Sequence, residues 1–163
     1  MATTSQHLLA LYDQAFDHAA WHGTPLWGSL RGVRLGAAAW RPGRARHNIW
    51  EIVLHTAYWK YIVRRRLLRD PALSFPRPGS NWFALPRRAD ERAWRRDVAL
   101  LKEQHRLLRA VIARFPASRL GARAWHSHWT NAATIYGIAS HDLYHAGQVV
   151  LLKKALAALR GAA

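Results

Sequence analysis

Two histidines set four residues apart in an otherwise apolar run, His141 and His145 in SHDLYHAGQVVLLKK (140–154), restrict this chain more than any other stretch. On a helix, residues four apart share one face, a turn apart along the axis. Both imidazoles then look toward whatever that face packs against, and a buried imidazole without a partner is costly. Two imidazoles so placed can bind one metal ion if another element supplies a third ligand. The run IWEIVLHTAYW (49–59) carries His55 inside a second apolar helical pattern. The expectation is that His55, His141 and His145 meet across a helix bundle and hold a divalent metal.

The remaining sequence reads as a scaffold for that meeting. Residues 4–20 carry an apolar stripe (Leu8, Leu9, Leu11, Tyr12, Ala15, Phe16, Ala19) and predict a first helix capped by Thr4 or Ser5. Gly23, Pro25 and Gly28 break it before a short second turn, and Arg41-Pro42-Gly43 breaks the chain again. Residues 47–68 predict a second main helix that Asp70-Pro71 ends. Pro71, Pro76, Pro78, Gly79 and Pro86 make 70–89 irregular. A connection of that length crosses over or builds part of a site, and lets two successive helices run in the same direction. A third helix over 89–114, with Asp90 at its start and Pro116 after its end, precedes a last one over 130–159 closing at Gly161. No strand alternation and no internal repeat is present. The fold expected is all-α, four main helices in one bundle, as a single domain over 1–163.

Composition narrows the chemistry. A chain of 163 residues suits one core. It has no cysteine, which removes disulfides, thiolate ligands and a cysteine nucleophile of its own. With no signal peptide at its start and no apolar run near the ~20 residues of a membrane span, it reads as a soluble cytoplasmic protein. Its formal charge of +16 would attract anionic surfaces, yet only four of its 25 basic residues are lysines and the arginines are scattered. Arginine-rich solvated helix faces are the simpler reading. A nucleic-acid-binding bundle, whose affinity would collapse as salt rises, is the least favoured.

Neighbours of the three histidines follow from helical spacing. Gln148 lies three residues after His145 and seven after His141, on their face, where it can bond to a ligand or a bound water. Tyr144, three after His141, can orient a substrate; plain helix packing competes with both roles. Glu51, one turn before His55, is either a general base or, more simply, the charge partner of an arginine. Asp142 is displaced from the two histidines, toward the surface or a neighbouring helix. Trp27, Trp50, Trp59 and Trp82 are core residues or the walls of a pocket around the metal. Aspartate rather than glutamate after His141 removes the HExxH metalloprotease pattern. His7, His18, His22, His47, His105, His126 and His128 share no coherent spacing with a third group.

AWHGTPLWGSL (20–30), HNIWEIVLHTAYWKYIVRRRL (47–67) and GIASHDLYHAGQVVLLKK (137–154) together resemble the DinB-like superfamily of bacterial four-helix-bundle metalloproteins. HDxYHAGQ with an upstream IWExxxHxxxW is far more specific than HxxxH alone. The resemblance implies up-down-down-up topology with a long crossover between helices 2 and 3. It implies His55, His141 and His145 as ligands of zinc or nickel, water completing the shell, and a homodimer. Some relatives resemble transferases and isomerases that use a small cellular thiol such as bacillithiol, mycothiol or glutathione. The leading expectation is therefore a metal-dependent thiol S-transferase, in which a low-molecular-weight thiol attacks a small-molecule electrophile. The alternatives are a metal-dependent hydrolase and a non-catalytic metal-binding stress-response protein.

Overall fold

Side-chain caps decide where the helices begin. In the computed structural model, which describes residues 3–161, α1 (Thr4–Phe16) starts from Thr3, one residue ahead of the caps expected from sequence. Thr3 Oγ1 accepts from the Gln6 N–H (3.3 Å) and Gln6 Oε1 accepts from the Thr3 N–H (2.6 Å), a reciprocal capping box. α2 (Leu26–Ser29) and α3 (Leu35–Ala39) are short. α4 (Ile49–Leu68) opens on a second box, in which Asn48 Oδ1 takes the Glu51 N–H (2.8 Å) and Glu51 takes the Asn48 N–H (3.3 Å). α5 (Glu91–Ala113) is capped by Asp90, as expected, through the Ala93 N–H (2.8 Å). After a 3-10 turn at Ala117–Arg119, α6 (Asn131–Gly161) completes the fold, and no strand occurs among the described residues. α1 is shorter than its apolar stripe: Asp17, with φ −143°, leaves helical geometry, and Ala19 falls outside.

Burial of one face per helix joins these pieces. α1 packs on α5 and α6, and α4 packs on the same two. Arg109 of α5 grips Asp13 of α1 with two parallel bonds (2.7 and 2.8 Å). Trp50 of α4, fully buried, donates its indole N–H to Asp97 of α5 (2.8 Å). Lys153 ties α2 to α6 by donating to the Ser29 and Arg31 carbonyls (2.9 and 2.8 Å). No helix among the described residues is long and apolar enough to cross a membrane.

The connection from α4 to α5 contains no helix, but it is fastened to α4. Tyr61 donates to the Leu73 carbonyl (2.8 Å), and Phe75 and Phe83 pack edge-on to Tyr58 (5.4 and 5.6 Å between centroids). This pinning carries Asn81 and Trp82 onto His55.

Candidate metal centre

His55 comes from the middle of α4, and His141 and His145 from successive turns of α6. Their Nε2 atoms converge. His141 Nε2 stands 3.1 Å from His55 Nε2 and 3.1 Å from His145 Nε2, and the three candidate ligand atoms all lie within 4.8 Å of one another. Nitrogens 2.0–2.1 Å from a tetrahedral ion would stand about 3.3–3.4 Å apart, and the two spacings to His141 Nε2 are close to that value.

The far side of two of the three rings fixes a tautomer. The main-chain carbonyl of Asn81 can only accept, so His55 Nδ1 carries a proton and donates it (3.0 Å). His145 Nδ1 likewise donates to Gln148 Oε1 (2.7 Å). Both Nε2 atoms are then unprotonated, with lone pairs aimed at one point. His141 Nε2 faces both, and one shared proton cannot satisfy two converging lone pairs as well as a cation does. The donor set therefore fits a divalent metal. Carbonyl and amide acceptors behind ligating histidines are the usual support of such sites. His141 Nδ1 is buried without such a partner.

Burial keeps the imidazoles neutral. It is the main cause that pushes His141 down to about 3 and His145 to about 4, with the neighbouring imidazoles adding to it. His55 is lowered too, burial outweighing the opposing bond from Asn81. Neutral imidazole is the form that donates a lone pair to a metal.

A stack of rings closes one side. His55 lies flat on Trp82 (3.8 Å, 9°), and Trp82 lies flat on His47 (3.5 Å, 5°). His47 Nδ1 donates to Glu51 (3.1 Å), and Arg41 clamps the same carboxylate with both guanidinium arms. Burial pushes the Glu51 carboxyl up, but the bonds from Arg41, His47 and the Asn48 N–H outweigh it and hold it low. Glu51 is thus a cap, an arginine partner and, through His47, a support of the stack. Trp59 stands edge-on to His55 and His141 (6.3 and 6.4 Å) and donates to Asn81 Oδ1 (2.9 Å). Tyr144 is exposed and edge-on to His145 (5.0 Å).

Two cavities flank the cluster. One of about 440 Å³ reaches His141 along Trp59, Val63 and Arg66 of α4 and Gly137 of α6. The other, about 460 Å³, reaches His145 past His47, Trp82, Tyr144 and Gln148.

Of the four tryptophans considered as walls, Trp59 and Trp82 are at the centre. Trp50 is buried against Trp94, and Trp27 packs on Phe16. His126 and His128 are exposed. Sequence reasoning missed His47 and Asn81. The first had a signal, the HNIWE capping pattern that fixes it one turn before Glu51; Asn81, in a left-handed loop position (φ 59°), had none. Asp142 does bond to a neighbouring helix, but deep in the core, to Lys60 of α4, with both side chains fully buried.

An all-helical chain that gathers three imidazoles from two helices at one point is a helical protein with a cluster that could hold a divalent metal ion. The family described as the DinB superfamily matches residues 7–149, and the chain belongs to that superfamily. No curated protein and no solved structure matches it.

Proposed function

We propose that the protein is a metal-dependent enzyme of the thiol S-transferase type, with zinc or nickel on His55, His141 and His145 and a low-molecular-weight thiol as cosubstrate. The observation that carries this reading is the convergence of three Nε2 atoms, two of them with the opposite ring nitrogen already committed as a donor. A divalent cation bound there supplies a Lewis acid that favours thiolate over thiol near neutral pH. The chain's residues do the rest. Asn81 and Gln148 orient two ligands, while Trp82 and His47 cover His55 from water. Tyr144 stands beside His145 at the edge of the second cavity, where it can steer an incoming molecule. With no cysteine in the sequence, the sulfur comes from a small molecule. Its proton goes to solvent, its lone pair forms the S–C bond, and the electrophile's leaving group departs with the bonding pair.

The same reading takes α1, α4, α5 and α6 as a four-helix bundle of up-down-down-up order in one domain. Contacts support it. Asp13 meets Arg109 and Phe16 meets His105, so α1 and α5 run oppositely. Trp50 meets Asp97 while Leu67 and Val111 line one cavity, an order that supports α4 and α5 running together with a crossover at 69–90.

The test is turnover of glutathione or bacillithiol with 1-chloro-2,4-dinitrobenzene, in which sulfur replaces chloride and the aryl thioether is read by absorbance. Turnover that needs both metal and His141 supports the reading. Ester hydrolysis without thiol consumption would replace it with the water-based reaction, and neither activity would leave a metal-binding protein without catalysis.

A further inference from the structure

We infer that the cavity beside His141 is a binding site for a flat apolar carboxylate, its ring between Trp59 and Trp129 and its carboxylate on Arg66. Its volume, about 440 Å³, is that of a small-molecule pocket. Trp59, Val63 and Arg66 follow one another along one face of α4, opposite Gly137 and His141 on α6. Seven residues of helix from Trp59 to Arg66 span about 10 Å, the length of a phenyl ring with a short acid chain.

Three observations select the ligand. Trp129 and Tyr136 are 63% and 48% exposed, and both of these large aromatics line this one cavity, a concentration that marks a binding surface. Arg66 makes no ion pair and no side-chain hydrogen bond among the described residues, although it lies at an otherwise apolar wall. A half-buried guanidinium with free donors is suited to a carboxylate held by two bonds. Gly137 sits in the interior of α6, where glycine costs helix stability, and a Cβ there would meet nothing within 4 Å. The empty space it leaves is the floor of the cavity. Seating the reacting end of the ligand at His141 rests on the metal reading above; the cavity and Arg66 do not.

The test is titration of tryptophan fluorescence with 4-phenylbutyrate and its uncharged counterpart 4-phenylbutyramide, on the metal-loaded protein and again after chelation. The acid binds about tenfold more tightly than the amide, the usual loss when a charged hydrogen-bonded partner is removed. Arg66→Gln abolishes that preference, while Arg92→Gln, the same charge change on exposed α5, keeps it. Gly137→Leu blocks both ligands and Gly137→Ala weakens them, with helical circular dichroism and metal content unchanged. Equal binding of acid and amide, a preference lost equally in Arg92→Gln, or unaltered binding in Gly137→Leu would overturn the inference. A preference that disappears on chelation would also overturn it, by placing the carboxylate on the metal. Wild-type protein that takes up no metal yet keeps the preference would sink the metal reading and leave this one standing.

Discussion

Gln148 and Asn81 hold imidazoles by different means, one through its side chain and the other through its main-chain carbonyl. Substitution should separate them. Gln148→Leu leaves the His145 Nδ1–H without an acceptor and should lower metal affinity by roughly 10- to 100-fold without unfolding the chain, read by competition with a chromophoric chelator. Asn81→Gly keeps both the carbonyl and the positive φ, so it should bind metal nearly as well as wild type; Asn81→Val, strained at φ 59°, should not. The imidazoles also predict a pH profile. Unfolded, they titrate near 6.5; folded and metal-free, His141 and His145 are pushed to about 3 and about 4. Across that window the unfolded chain binds more protons, so their contribution is complete above 6.5 and is lost as pH falls toward 4 and then 3. Asp142, raised by burial from 3.8 to about 6, works the other way, since the folded chain there holds the extra proton. His105, buried between Tyr12 and Phe16 and pushed to about 2, adds to the imidazole side. The imidazoles outnumber the carboxyl, so the melting temperature of chelated protein should fall between pH 7 and pH 4. A flat or rising profile would contradict this.

At the scale of the element, α4 and α6 are joined in two places, by the imidazole cluster and by the Lys60–Asp142 pair. Lys60 Nζ also lies over the Tyr12 and Phe16 rings (4.7 and 4.8 Å), so the cation is enclosed by α1 as well. Burial lowers the Lys60 ammonium and raises the Asp142 carboxyl, and each charge opposes the shift in the other. Lys60→Met strands a carboxylate in the core and should cost about 3–5 kcal/mol in urea unfolding, whereas the double variant Lys60→Met with Asp142→Leu should recover most of it. A single variant as stable as wild type would show the pair to be solvated. Spacing could not have announced this contact: Lys60 falls among apolar positions of α4 but reads as an amphipathic edge residue. The helices themselves were legible because caps and breakers are local, as at Asp90 and Asp70-Pro71. His141 and His145 were legible together because one helix face holds both. Their meeting with His55 needed tertiary packing, for which family likeness stood in. Trp82 was legible only as one of four candidate walls and Asn81 not at all, since a proline-rich connection has no period from which to read where its side chains land.

For the whole molecule, the +16 charge and the cavity beside His141 bear on the same question of what arrives at the centre. A positive field speeds the approach of anions and is screened by salt. The association rate of an anionic thiol or carboxylate should therefore fall steeply between low and physiological ionic strength, by stopped-flow fluorescence, while metal content stays constant. A rate indifferent to salt would mean that the arginines serve only solvation. The proposed chemistry depends on the three Nε2 atoms sharing one ion, so metal stoichiometry is the most direct measurement. Mass spectrometry of untagged wild-type protein should find about one zinc or nickel ion per chain, and His55→Ala, His141→Ala and His145→Ala should each lose it while keeping their helical circular dichroism. Wild-type protein that stays metal-free after reconstitution, or a histidine variant that keeps its full complement, would contradict the metal centre.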